Sequence, residues 1–479
     1  MSRPRFRALA VGVVAALSVL ALPGAALAGG PGVWTKLADL DNVSATAGMF
    51  RTADGALHVV WLAKKAADGT HAYGTSTLSV AGKLLATGTA LSGWATLEPD
   101  PQLFSDGSGM RLVFEGNTGA SGCYFDGAIF TATSADGSTW NLVQGSLSSH
   151  TVGVGNIAAT SETDGTTPVT TFAGGHLFHV GVDPSCPASS QDGTIAPTSG
   201  AFQSNPAIVT DPTTGAVWVA WYQSDARQGY WAEQILPTQA APVEAPGSAA
   251  TAGENNQPEE PVAIAARLGG GVYMAYCSAT SRQPCAHIDL WKVGSPRASV
   301  VPGSQNTTGA RVALTADPLG KLSVAWYNEA KNVIHSVRTN TTATAWGVVR
   351  TTRPPAHTSQ LTVVQAQGSS GRLDVLTVDE PSTAGTPIGM FQTQILPGLS
   401  LSAKPGTFSH KKAAKVTFAV TDAGQPVAGA RVSCLGKNGK TAASGTVKLK
   451  FHKGAAVGTH GCTAASFGYA VGQATLKVT

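Results

Sequence analysis

The sequence predicts an all-β chain, with a seven-bladed β-propeller followed by a small basic β-sandwich. Three observations carry that prediction. A strand–turn–strand unit returns about every fifty residues, and the sign of the charge changes near Pro397. Gly and Pro supply 56 and 27 of the 479 residues while charged residues make up only 13%, a balance that suits short strands and tight turns rather than helices.

The chain opens on a segment that reads as a secretory signal over residues 1–28. Arg3, Arg5 and Arg7 give a basic start, Ala8 to Leu22 an apolar stretch, and Ala26-Leu27-Ala28 a small-x-small cleavage site. No later stretch approaches the length of a membrane span, so the expected product is secreted, extracellular or attached to the cell surface.

Residues 29–396 are expected to form the propeller. Each unit holds an apolar strand, a turn with Asp or Gly, and a second strand that closes on a large apolar residue. Those closing residues are Trp61, Phe114, Phe172, Trp221, Tyr276, Trp326 and Leu376, at intervals of 49 to 58 residues. Third strands start near His71, Gly127, His176, Gly229, His287, Asn332 and Ile388, and fourth strands are expected to open on Trp94, Trp140 and Trp346. The seventh unit lacks a fourth strand of its own. Val33-Trp34-Thr35-Lys36-Leu37 has the character to supply it, joining the two ends of a ring and removing an open sheet edge.

Between the third and fourth strands of the second unit stands Ser134-Ala135-Asp136-Gly137-Ser138-Thr139-Trp140. It resembles the Asp box of sialidases and bacterial neuraminidase repeats. The Asp carboxylate accepts backbone N–H groups, Gly supplies a positive φ, and Trp packs between sheets. Asp211 to Gly215 and Asp317 to Gly320 are similar turns. The resemblance implies a propeller, in which the box is structural and lies away from the active face. It does not imply sialidase activity here. The Arg-Ile-Pro that opens the first blade of that family is absent, Arg51 comes too late in its unit to replace it, and no Tyr–Glu nucleophile pair can be assigned.

The starts of the innermost strands of a propeller share one mouth. Aligning the units equates Thr46, Asp100, Asn156, Asn205, Glu260, Arg311 and Gln360, all polar, with Pro101, Pro206 and Pro261 following three of them. Short fixed polar groups suit a hydroxyl-rich ligand such as a glycan. The plainer reading is that strand ends are polar where they meet water. Asp100 and Glu260 are the candidate catalytic residues of an alternative, a glycoside hydrolase or lyase. Trp231 and Trp291 are candidates for stacking on sugars or, more simply, for packing between blades.

Six cysteines in an exported chain argue for disulfides. Closeness in sequence favours Cys277 with Cys285 and Cys434 with Cys462, which leaves Cys123 with Cys186, although six cysteines allow about 15 pairings. No Cys-x-x-Cys spacing or suitable histidine pair points to a metal, and His176 and His179 fall on opposite faces of a strand. Serine-hydrolase elbows, phosphate loops and nucleotide fingerprints are absent from the sequence. No metal or cofactor is expected, nor a nucleic-acid partner, and the chain is expected to be a monomer.

From 397 to 479 the sequence holds eleven Lys and Arg against one acid, Asp422, whereas residues 29–396 carry 18 basic and 27 acidic groups. The segments Lys415 to Asp422 and Gly424 to Val432 resemble bacterial immunoglobulin-like or carboxypeptidase-regulatory-like sandwiches, which implies one such domain here. Its charge suits an anionic cell-wall polymer, although a soluble spacer would also carry exposed lysines. The sequence therefore points to a secreted, non-catalytic propeller that binds a glycan or envelope component. A carbohydrate-active enzyme is the alternative.

Overall fold

The computed structural model describes residues 31–479 except 44, 108, 118–127, 144–154, 163–167, 174–176, 181–192, 196–202, 224–228, 249–261, 281–282, 306, 308–310 and 366–370. The described chain is all-β, with helical content limited to short turns such as Glu329–Lys331.

Seven sheets precede residue 397 among the described residues, each built mainly as an antiparallel meander. The first joins Ala47–Arg51, Leu57–Leu62, His71–Leu78 and Leu84–Trp94. In the second, Gly109–Asn117 pairs on one edge with both Thr96–Leu97 and Gln102–Asp106, then with Ala128–Ser134, which pairs with Asn141–Leu142. The third to sixth follow the same plan, with inner strands Gly155–Ser161, Gln203–Thr210, Ala263–Arg267 and Arg311–Ala316. The seventh runs His357–Gln365, Leu373–Glu380, Ile388–Ile395 and then Thr35–Leu40, the strand nearest the amino end. The expected closure therefore forms, and no second chain is needed to cover that edge.

Each inner strand touches that of the next sheet, and His357–Gln365 touches Ala47–Arg51, so the sheets follow one another in a propeller-like ring. Strand alternation explains why the second strands are apolar on both faces. Leu57, Val59 and Trp61 pack against Leu376, Val378 and Met390 of the seventh sheet, whereas Val60 turns the other way onto Leu112 and Phe114 of the second. Burying such a strand between two neighbours stabilises by about 1.5–3 kcal/mol per large side chain. Near the axis there is little room. A Cβ on Gly48 would stand 2.8 Å from the Cβ of Leu103, so glycine permits the inner strands of the first two sheets to approach.

Two tryptophans depart from expectation. Trp94 ends rather than opens its outer strand, opposite His71, and Trp346 makes only a bridge to Thr339, ahead of the outer strand Arg350–Thr352. The indoles are placed by packing rather than by ladder position. Trp94 meets Phe114 and Phe130 of the second sheet edge-on at 5.1 and 4.9 Å.

Beyond residue 397 two sheets face each other. One contains Ser400–Lys404, Ala414–Asp422, Gln425–Pro426 and Thr446–Phe451. The other contains Thr407–Phe408, Gly472–Val478, Gly458–Ala465, Arg431–Cys434 and Lys437–Lys440. Val416, Phe418, Val420, Val432 and Leu476 fill the space between them. Cys434 and Cys462 sit directly opposite on neighbouring strands and are bonded, as are Cys277 and Cys285. Cys123 and Cys186 lie outside the described residues.

Asp422 joins this sandwich to the sixth sheet. Its carboxylate accepts from Lys321 Nζ at 2.6 Å and from Arg338 Nε at 3.2 Å, and is also paired with Arg338 Nη2. Arg338 further donates to the Tyr469 hydroxyl at 3.2 Å and lies over that ring.

Candidate functional site

Repetition of the meander places every inner-strand start at one end of the ring, together with the ends of the second strands. The described turns between first and second strands lie at the other end. There Asp136 Oδ1 accepts from the backbone N–H groups of Ser138 and Thr139 at 2.8 and 3.0 Å, which holds its carboxyl far below the usual carboxylate range. Gly137 has φ +76°, and a Cβ there would collide with the His58 ring.

At the opposite end the aligned residues meet their neighbours. Thr46 donates to Pro99 O through its backbone N–H at 2.9 Å and its hydroxyl at 3.3 Å. Asp100 Oδ2 accepts from Ile157 N–H of the third sheet at 2.8 Å. Arg311 Nε donates to Thr358 O of the seventh at 3.2 Å, and Ser359 Oγ returns to Val43 O at 2.8 Å, beside the first. Gln360 is buried, and its Oε1 has no hydrogen-bond partner among the described residues. Asn156 and Asn205 are placed by backbone alone, on Gly155–Ser161 and Gln203–Thr210, both next to a register shift. Glu260 lies outside the described residues. Several of the polar strand starts thus stitch one inner strand to the next.

The strongest chemistry stands beside Asp100. Glu115, near the end of Gly109–Asn117, is only 4% exposed, and its Oε2 has no hydrogen-bond partner among the described residues. Burial, reinforced by the charges of Asp100 and Glu98, pushes its carboxyl up to about 9. Burial pushes Asp100 up to about 6, against the Ile157 N–H bond, which favours the carboxylate. Burial also raises Glu98, an effect that His71 opposes, and Tyr73 donates its hydroxyl to Glu98 O at 2.8 Å. Both carboxyls are raised and Glu115 the further, so Glu115 is the better proton donor of the pair and Asp100 the better acceptor. On the seventh sheet, burial raises Asp379 to about 6 while it accepts from Ala356 N–H and the Thr358 hydroxyl at 3.0 and 3.2 Å.

The alignment of the repeats picks out Asp100 as a polar strand start, whereas Glu115 and Asp379 are not among its candidates. A signal existed in each case: an acid that continues an apolar strand, after Arg111-Leu112-Val113-Phe114 and within Leu373–Glu380. Trp231 and Trp291 are 3% and 1% exposed and pack within the sheets, so neither presents a face to a sugar. Among the described residues no group of three His, Cys, Asp or Glu side chains is placed to hold a metal, and no helix is long and apolar enough to cross a membrane.

No protein-family model matches the chain, and no curated protein matches it. Among solved structures it is similar to a protein of unknown function from Dyadobacter fermentans, at 12% identity and a TM-score of 0.42, covering 77% of this chain and 99% of that one. It is also similar to an α-L-arabinanase of Penicillium chrysogenum solved with arabinobiose, at 10% identity and a TM-score of 0.43, over 77% and 98% of the two chains. A third is a fungal lectin, the six-bladed fucose-recognising Aleuria aurantia lectin, at 11% identity and a TM-score of 0.37, over 60% and 92%. What those proteins bind or cleave belongs to them.

Proposed function

We propose that this protein is a secreted seven-bladed propeller with an immunoglobulin-like sandwich from about residue 397, and that it binds a glycan at the inner-strand mouth without cleaving it. The seven successive sheets and the amino-terminal closing strand support the blade count. The turn at Ser134 to Trp140 supports a plan like that of the Asp-box propellers.

One observation carries the functional reading: Glu115 is a buried acid with Oε2 unpartnered among the described residues, and burial and the nearby charge of Asp100 both favour its protonated form. A buried polar group without a partner costs about 1–3 kcal/mol. A sugar hydroxyl both donates and accepts, so it fits a carboxylic acid next to a carboxylate.

Retention on a glycan panel, read together with product release, tests this. The protein is expected to be retained without releasing product. E115Q, whose amide still donates, keeps retention, and E115L weakens it about tenfold, the worth of one hydrogen bond. Unchanged retention in E115L would overturn the reading.

The carbohydrate-active enzyme remains the second reading because the environments of Asp100 and Glu115 push the two carboxyls apart, as an acid–base pair requires. Its signature is product release by the native chain that disappears in both E115Q and D100N.

A further inference from the structure

We infer that the outer face of one carboxy-terminal sheet is a docking surface for an anionic polysaccharide, separate from the mouth and independent of its reading. On this sheet Val416, Phe418, Val420 and Leu449 point into the core. Alternation therefore sends Lys404, Lys415, Lys448 and Lys450 outward, and all four are exposed. Register places them together. Lys415 is directly opposite Lys450, and Thr417 lies between Lys404 on one neighbouring strand and Lys448 on the other.

Like charges directly opposite on a sheet are destabilising, and nothing on this domain relieves them. Its single acid, Asp422, is 2% exposed and already holds Lys321 and Arg338. None of the four lysines forms an ion pair among the described residues. A cluster that repels itself is satisfied by an external polyanion, whose binding also displaces counterions.

The chemistry of the face selects the occupant. Lysine is a point charge without the planar fork of arginine, so it reads charge spacing along a chain rather than one carboxylate or phosphate group. Ser402, Thr417 and Thr421 share the outward positions, giving hydroxyls that pair with sugar hydroxyls. No aromatic residue stands on the outward positions of Ser400–Lys404, Ala414–Asp422 or Thr446–Phe451, so the face lacks the stacking platform that single-stranded nucleic acids use.

The test uses the full chain and immobilised polygalacturonate, with neutral dextran and polyphosphate as comparison polymers. Retention is expected on polygalacturonate but not on dextran, and to fall steeply between low and high salt. Replacing Lys404, Lys415, Lys448 and Lys450 together by Gln should weaken it by about tenfold or more. The charge-keeping replacement by Arg should restore it, which separates loss of charge from loss of folding. Replacing Lys411, Lys412, Lys453 and Lys477, at the sandwich end and on the other sheet, should cost about threefold or less. Equal losses from the two sets would overturn the assignment of this face, and so would undiminished binding by the first set. Stronger retention on polyphosphate than on polygalacturonate would overturn the polysaccharide as occupant. The lysine variants are read by the salt-sensitive part of this retention and the mouth by retention on neutral glycans at high salt, so failure here and failure at the mouth are distinguishable.

Discussion

Asp422 and Glu115 are both buried carboxyls in an all-β chain, and they have been treated in opposite ways. Asp422 is met by Lys321 and Arg338, with Tyr469 completing the shell around the guanidinium, so its charge is matched within the fold. Glu115 has acids for charged neighbours, and its Oε2 has no hydrogen-bond partner among the described residues. A carboxyl paired with cations fastens two parts of a molecule together. One surrounded by like charge is kept neutral, at a cost in stability that a ligand can offset.

The largest effect is expected from breaking the paired side. In D422N, Lys321 and Arg338 remain buried without the carboxylate that both of them meet, with Asp317 near them. The expected loss is about 3–5 kcal/mol, the usual result of removing one partner of a buried ion pair, measured as a lowered midpoint in urea unfolding. A loss near zero would mean that the sandwich is not held by this contact.

The unpaired side is sharpened by pH. A carboxyl raised in the folded state binds its proton more tightly there than in the unfolded chain. Its contribution is full below the ordinary carboxylate values and is lost as pH rises from there through 6 for Asp100 and towards 9 for Glu115. E115Q abolishes the Glu115 part of that slope. It should therefore be more stable than the native chain by about 2–3 kcal/mol at pH 6.5, two units above the ordinary glutamate value, and nearly equal to it at pH 4, a difference that thermal melts at the two pH values will show. Equal melts at pH 6.5 would contradict a buried, unpartnered acid.

The smallest effect is expected from D100N. Its amide oxygen can still accept from Ile157 N–H, so at pH 4, where the folded chain holds both carboxyls protonated, stability should change by less than about 1 kcal/mol. Removing the Asp100 charge should nevertheless lower the titration midpoint of Glu115, because that charge helps to raise it. Carboxyl NMR of isotope-labelled glutamate would read the midpoint directly. An unmoved midpoint would show that the two groups do not sense each other.

Much of the scaffold was legible because sheet periodicity is a local property. The closing residues of the second strands, the turn at Asp136-Gly137 and the pairing of Cys277 with Cys285 all follow from neighbours in sequence. Trp94 and Trp346 were misplaced because indoles are positioned by the sheet alongside, which the local pattern does not name. Thr46, Asp100 and Arg311 were found as polar strand starts, but their bonds to Pro99, Ile157 and Thr358 cross from one sheet to the next. No spacing rule reveals such partners.

By itself the sequence determined the repeat, the closing strand, the turns and the concentration of lysine after Pro397, since each is written in the order of side chains along a strand. Tertiary structure alone decided which charges would be answered. It brought Lys321 and Arg338 to Asp422 across roughly a hundred residues or less, and it set Glu115 beside Asp100 without a cation. The energy of a buried charge depends on what surrounds it in space, and those surroundings are set by which strands and sheets the fold packs together.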